Sequence, residues 1–232
     1  MSDALKTRFL LCNRAQMSEK EKAQLRDDIF AAADSGDPQA AFFAGRLYYE
    51  GFTLGQDYTQ ARKWFERAAE LGSDWGKVYL GYCYYYGRDI SVDYQKAYTY
   101  FSSAAASHNH CALYKLGDMC QKGLFVEKDE AKALECYQKA LDLITPDCPE
   151  YPNILSRIGH CRLHGLGCKP DLFEALADLN RAKEKCYLLL SQGDPYAHLP
   201  LPTIAQDLSE VTRRLNQQYC RTQQNVQYPN RQ

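Results

Sequence analysis

His160 and His164 stand four residues apart in His160-Cys161-Arg162-Leu163-His164. On a helix that spacing puts two imidazoles on one face, where they can share a transition-metal ion. A protease-type zinc site carries a glutamate general base inside such a pair, and none is present. The neighbouring sequence supplies no convincing third ligand, so the expectation is no metal and two surface histidines. Ten cysteines raise the same question. No Cys-x-x-Cys occurs, and the order Cys111, Cys120, Cys136, Cys148, Cys161, Cys168, Cys186 follows no ligand grammar. No Gly-rich phosphate loop, nucleophile elbow or fixed pair of carboxylates is found, so no catalytic residue and no cofactor are expected. A hydrolase, the weakest rival reading, would have only Cys111 and the two histidines to draw on.

The elements that position these groups follow from internal repetition. Gly45, Gly81, Gly117 and Gly159 are separated by 36, 36 and 42 residues. The same offsets relate Gly51, Gly87, Gly123 and Gly165, then Asp57, Asp93, Asp129 and Asp171, then Ala61, Ala97, Ala133 and Ala175. The six extra residues fall at Thr145-Pro146-Asp147-Cys148-Pro149-Glu150, where two prolines mark a loop. The first glycine column sits inside a helical pattern, at about 1 kcal/mol against Ala each time, which implies close approach of two helices. The second ends that helix, and the Asp column caps the next. Asp57-Tyr58-Thr59-Gln60 and Asp171-Leu172-Phe173-Glu174 have the form of capping boxes. One apolar residue between Gly and Asp (Leu54, Ile90, Val126, Cys168) can plug the loop into the groove between the paired helices. Each unit is therefore helix A, short loop, helix B, turn.

Helix B repeats small residues against aromatic ones: Ala61, Trp64-Phe65, Ala68-Ala69, then Ala97, Tyr100-Phe101, Ala104-Ala105, then Ala133, Cys136-Tyr137, Ala140. Together with Leu-Gly-x-x-Tyr-x-x-Gly in helix A, this order resembles the Sel1-like (Sel-one-like) repeat, a relative of the tetratricopeptide repeat, over about Asp37 to Lys185. In repeat four Asp178-Leu179 replaces the aromatic pair. The resemblance implies an all-α, right-handed α-solenoid of helix-turn-helix repeats, whose A helices line a concave surface that binds protein without catalysis. Some cysteine-rich secreted relatives carry one disulfide per repeat; this chain lacks that regular pairing, which favours a reducing compartment. Cys83 and Cys161 share a column with Leu47 and Met119, and Cys there serves as a small core hydrophobe.

The expected organisation is an N-terminal degenerate repeat or cap at 1–36, repeats at 37–72, 73–108, 109–144 and 151–190, a capping helix at 203–220 and a disordered tail at 221–232. Ser18-Glu19-Lys20-Glu21 opens the first helix as a capping box. Ile204, Leu208, Val211, Leu215 and Tyr219 form one apolar stripe, read as a cap over repeat four. The sharper alternative has that helix dock a partner or a second copy of the chain, giving a homodimer.

The flank of helix A that the packing columns leave unused gives a ladder of candidate binding residues: Gln39, Phe43, Arg46 and Glu50, then Trp75, Tyr79, Tyr82 and Tyr86, then Cys111, Lys115, Asp118 and Lys122, then Asn153, Arg157, His160 and His164. Rigid aromatics beside cations suit a peptide or an acidic segment. The partner-binding set is therefore Phe43, Arg46, Tyr79, Tyr82, Tyr86, Lys115, Lys122, Arg157, His160 and His164. In the plainer alternative Trp75 and Tyr79 pack on helix A of a neighbouring repeat and bind nothing. Replacing Tyr82, Tyr86 and Arg157 together is expected to abolish partner binding with the fold intact. A small-ligand binder, holding a glycan or cell-wall fragment on the aromatic rung, is the main rival.

Over 232 residues, 28 Lys+Arg balance 29 Asp+Glu, which removes the general attraction to phosphate that a nucleic-acid binder relies on. No run approaches the ~20 apolar residues that span a bilayer, so no membrane partner is expected. Lys6 and Arg8 precede only Phe9-Leu10-Leu11, too short for a secretory signal, and Leu11 before Cys12 is a poor lipid-attachment context. The chain thus reads as cytoplasmic unless it is exported by a route that leaves no such mark.

Overall fold

The computed structural model describes Leu5, Thr7, Phe9 and residues 17–227, without the side chains of 222 and 224–227. Cys12 and most of the first sixteen residues lie outside the described residues, as do residues 228–232 of the expected tail. Among the described residues all regular structure is helical. The chain divides into two compact units, one through Lys128 and one from Asp129 onward.

In the first unit, α1 (Glu19–Asp34) opens on a complete capping box between Ser18 and Glu21. It is followed by the pair α2 (Pro38–Glu50) and α3 (Tyr58–Glu70), the pair α4 (Asp74–Tyr86) and α5 (Tyr94–Ala106), and α6 (His110–Lys122). The interior glycines do the work their spacing implies. A Cβ on Gly45 would stand 2.4 Å from the Phe65 ring, and one on Gly81 2.4 Å from the Phe101 ring. Each B-helix phenylalanine thus lies directly on the backbone of its A helix. The loops close with Gly51 and Gly87 in the left-handed region, at φ 72° and 67°. Leu54 and Ile90 plug inward against the core. Phe30 of α1 meets Trp64 of α3 at 5.4 Å, so α1 supplies the B-type face that precedes repeat one.

The aspartate caps form as expected: Asp57 accepts from Gln60 N at 2.9 Å and Asp93 from Lys96 N at 2.9 Å. The capping-box reading at Asp57 needs correction. The cap's own N–H does not turn back to the N3 side chain; Asp57 N donates to Tyr48 O and Asp93 N to Tyr84 O, each at 3.0 Å. The repeat uses that donor to tie helix B to helix A, which satisfies an orphan carbonyl at the end of helix A as well.

In the second unit α7 (Glu130–Asp142) precedes the pair α8 (Tyr151–His164) and α9 (Leu172–Ser191), and α10 (Leu201–Gln227) closes the chain. Asp171 caps α9 through Phe173 N and Glu174 N, while its own N–H donates to Arg162 O at 2.9 Å. Where repeats one and two have phenylalanine against glycine, Leu179 meets Gly159 here, with 2.9 Å from the glycine's would-be Cβ to Leu179 Cγ. Ile204 and Val211 are fully buried, and Leu208 and Leu215 pack with them against the core of α8 and α9. The stripe on α10 thus faces this core, apart from Tyr219, which is exposed. The helix also runs past the expected stop at Cys220, to Gln227. Arg221 to Gln227 holds no Gly or Pro, and its Arg and Gln are good helix formers.

Candidate functional site

In the first unit the A-helix flank forms a continuous aromatic file. Trp75 stacks on Phe42 of α2 at 5.9 Å and meets His110 of α6 edge-on at 5.7 Å. Tyr79 packs edge-on against Phe42 at 5.1 Å and Tyr49 at 5.4 Å. Tyr82 follows at 5.4 Å from Tyr79, and Tyr86 at 6.2 Å from Tyr82. In the N-terminal half of α4, Trp75 and much of Tyr79 therefore pack between repeats. Phe43 is also taken inward, 3% exposed and 4.3 Å from Phe9, and does not belong to an accessible surface. Arg46 lies over Phe9 at 4.9 Å and pairs with Glu50, Nε to Oε1 at 2.6 Å.

Lys115 departs most from expectation. It is only 7% exposed, because four tyrosines surround its ammonium. Nζ stands 4.6 Å from the ring centroid of Tyr114, 5.4 Å from Tyr86, 5.5 Å from Tyr85 and 5.9 Å from Tyr82. It donates to Tyr86 Oη at 2.8 Å and to Asp118 Oδ2 at 3.2 Å. Burial by itself would lower the pKa of this ammonium, but Tyr114, Asp118 and Tyr86 outweigh it and hold the group above the ordinary lysine value. Cation–π contact contributes about 2 kcal/mol or more when desolvated. Lys115 is thus the filling of an aromatic cage, and the expected cationic rung loses it as a surface charge. Burial also pushes the neighbouring Tyr85 hydroxyl up to about 12.

What stays accessible on this flank lies at the C-terminal ends of α4 and α6. Tyr86 is 47% exposed, and Lys122 is exposed with Nζ 3.5 Å from Tyr85 Oη. Arg88, which the periodic reading missed because it lies beyond the helix-ending Gly87, is exposed too and sits 5.8 Å from the Tyr86 ring centroid.

On α8 the corresponding flank is tied to α10. His160 Nδ1 lies 2.9 Å from Asp207 Oδ2, and His164 Nε2 lies 3.8 Å from Asp207 Oδ1. The imidazole centroids are 4.5 Å apart. Burial, then the neighbouring His160, holds the His164 imidazole below its ordinary value against the pull of Asp207. Asp207 was invisible to the sequence reading: it stands beside Leu208 on the capping stripe, 47 residues from His160. Arg162, on another face of α8, pairs with the buried Asp178 at the position where repeats one and two carry an aromatic. Arg157 is half-buried.

The cysteine column is confirmed as core: Leu47, Cys83, Met119 and Cys161 are all 0% exposed. Burial pushes the Cys83 and Cys161 thiols up to about 12, the opposite of what a nucleophile needs. Cys111, the one thiol open to the hydrolase reading, is 2% exposed. No helix among the described residues is long and apolar enough to cross a membrane.

Comparison with known proteins follows the same lines. The profile of the Sel1 repeat matches residues 38–73, 77–109, 112–143 and 155–182. The crystal structure of a Sel1 repeat protein from Oxalobacter formigenes superposes with a TM-score of 0.65 at 22% identity, over 91% of this chain and 86% of that one. That of c5321, a protective antigen present in uropathogenic Escherichia coli strains and displaying an SLR fold, gives 0.60 at 23% identity, over 89% of this chain and 46% of that one. This chain therefore spans about half the length of c5321. At such identities the likeness concerns the fold. A search of curated proteins gives no match.

Proposed function

We propose that this chain, which belongs to the Sel1 repeat family, holds a partner polypeptide on the tyrosine-rich end of α4 and α6 in its first unit. Sel1 repeats are in general a scaffold for protein interaction rather than a catalyst. The observation that carries the finer reading is the exposure of Tyr86, Arg88 and Lys122 around a rigid, buried tyrosine cage. A large amphipathic ring held in place by its neighbours loses little entropy on binding, and adjacent cations favour an acidic partner segment. The surface is preformed, so little backbone rearrangement is expected. A polypeptide is preferred over a saccharide. A sugar needs a bare ring face, whereas Tyr79, Tyr82 and Tyr86 meet one another, Lys115 and Arg88.

Two variants test this, each in the full chain. Arg88→Glu with Lys122→Glu should remove proteins captured from lysate of the producing cell and leave the melting temperature nearly unchanged, since both side chains are exposed and Tyr86 stays in place beside Lys115. Arg157→Ala probes the second unit separately. Capture that survives the first variant intact places the partner elsewhere.

A further inference from the structure

We infer that His160, His164 and Asp207 form a divalent transition-metal site that clasps the C-terminal helix α10 to α8. The sequence offered two ligands and no third; the fold delivers the third from another helix. One ligand atom from each of the three residues lies within 4.8 Å of the other two. In a tetrahedral zinc site with bonds of about 2.0–2.2 Å, ligand atoms stand roughly 3.3 Å from one another. The separations of 2.9 Å from His160 Nδ1 to Asp207 Oδ2 and 3.8 Å from His164 Nε2 to Asp207 Oδ1 are of that order.

The environment fits a cation. Asp207 is 4% exposed, so its carboxylate is stripped of most water and directed at the two rings. The histidine side chains keep 32% exposure each, which leaves an approach from solvent and room for water as a fourth ligand. Arg214, whose charge acts on His164, would oppose a metal. It is held by Glu210, Nε to Oε1 at 2.6 Å, and donates from Nη1 to Leu163 O at 2.9 Å. Two imidazoles and one carboxylate suit zinc, cobalt or nickel rather than calcium or magnesium. Because the ligands come from α8 and α10, metal binding stabilises the docked cap by mass action. This withdraws His160 and His164 from the partner surface, and it stands independently of the partner-binding reading.

The test uses the full chain stripped with a chelator, titrated separately with zinc chloride by calorimetry and with cobalt chloride by absorption. One equivalent should bind, with cobalt ligand-field bands, no thiolate charge-transfer band, and a rise in melting temperature. His164→Gln, on an exposed ring, should fold normally and weaken binding at least tenfold. Asp207→Asn should do the same, and if it fails to fold the His164 variant carries the test. Absence of binding, or affinity unchanged in His164→Gln, overturns the site. So does a dominant thiolate band, which would put the metal on cysteines.

Discussion

The same register positions on helix A are put to different uses in the two units. On α4 and α6 they hold tyrosines closed around Lys115, and the outer rim of that cage faces solvent. On α8 they hold histidines engaged by Asp207 of the capping helix. A repeat fixes where a side chain sits, but its neighbours decide whether it becomes core, surface or ligand. The charged groups differ in the same way. Lys115 and Asp118 are both deeply buried, whereas the Arg162 partner of buried Asp178 keeps 31% of its side chain in solvent.

The sharpest way to break the comparison is to remove one member of each pair. Asp118→Ala leaves the Lys115 ammonium buried without its carboxylate and should cost about 3 kcal/mol in urea unfolding. Asp178→Ala leaves Arg162, whose side chain water already reaches, and should cost nearer 1 kcal/mol. Equal losses would show that burial does not separate the two pairs. The interior glycines come next. Gly81→Ala drives a methyl into the Phe101 ring and should lower stability by about 2 kcal/mol, even after the helix-propensity gain. Gly159→Ala should cost less, because Leu179 offers a flexible branch at 2.9 Å where Phe101 offers a ring at 2.4 Å. Thermal melts of the two variants give the order directly. The smallest effect concerns reactivity alone. With thiols near 12, Cys83 and Cys161 hold roughly one thiolate in ten thousand at pH 8. Alkylation of the native protein followed by mass spectrometry should label exposed Cys220 rapidly and leave both buried thiols unmodified.

Much of the local structure was legible. The glycine, aspartate and alanine columns gave the helix pairs, their caps and the close approach of paired helices at the interior glycines, because each column answers a backbone requirement within one repeat. The apolar stripe on α10 was legible as a packed face for the same reason: burial needs only a face and a period. Three features escaped. Period alone put Lys115 on the outer flank, yet Tyr82, Tyr85, Tyr86 and Tyr114 close over it from two helices. Gln60 and Glu174 looked like halves of capping boxes, but helix A offers the cap's N–H a backbone carbonyl at fixed distance. Arg88 follows a glycine that ends the periodic pattern, so no helical spacing pointed to it.

Equal offsets in the chain determined the repeat, its hairpins and its family, since backbone conformation and helix pairing answer to residues a few turns apart. Tertiary structure alone decided which flank residues reach solvent and which meet Asp207. Those outcomes depend on side chains from separate helices converging in space, and no periodicity within one helix encodes that convergence.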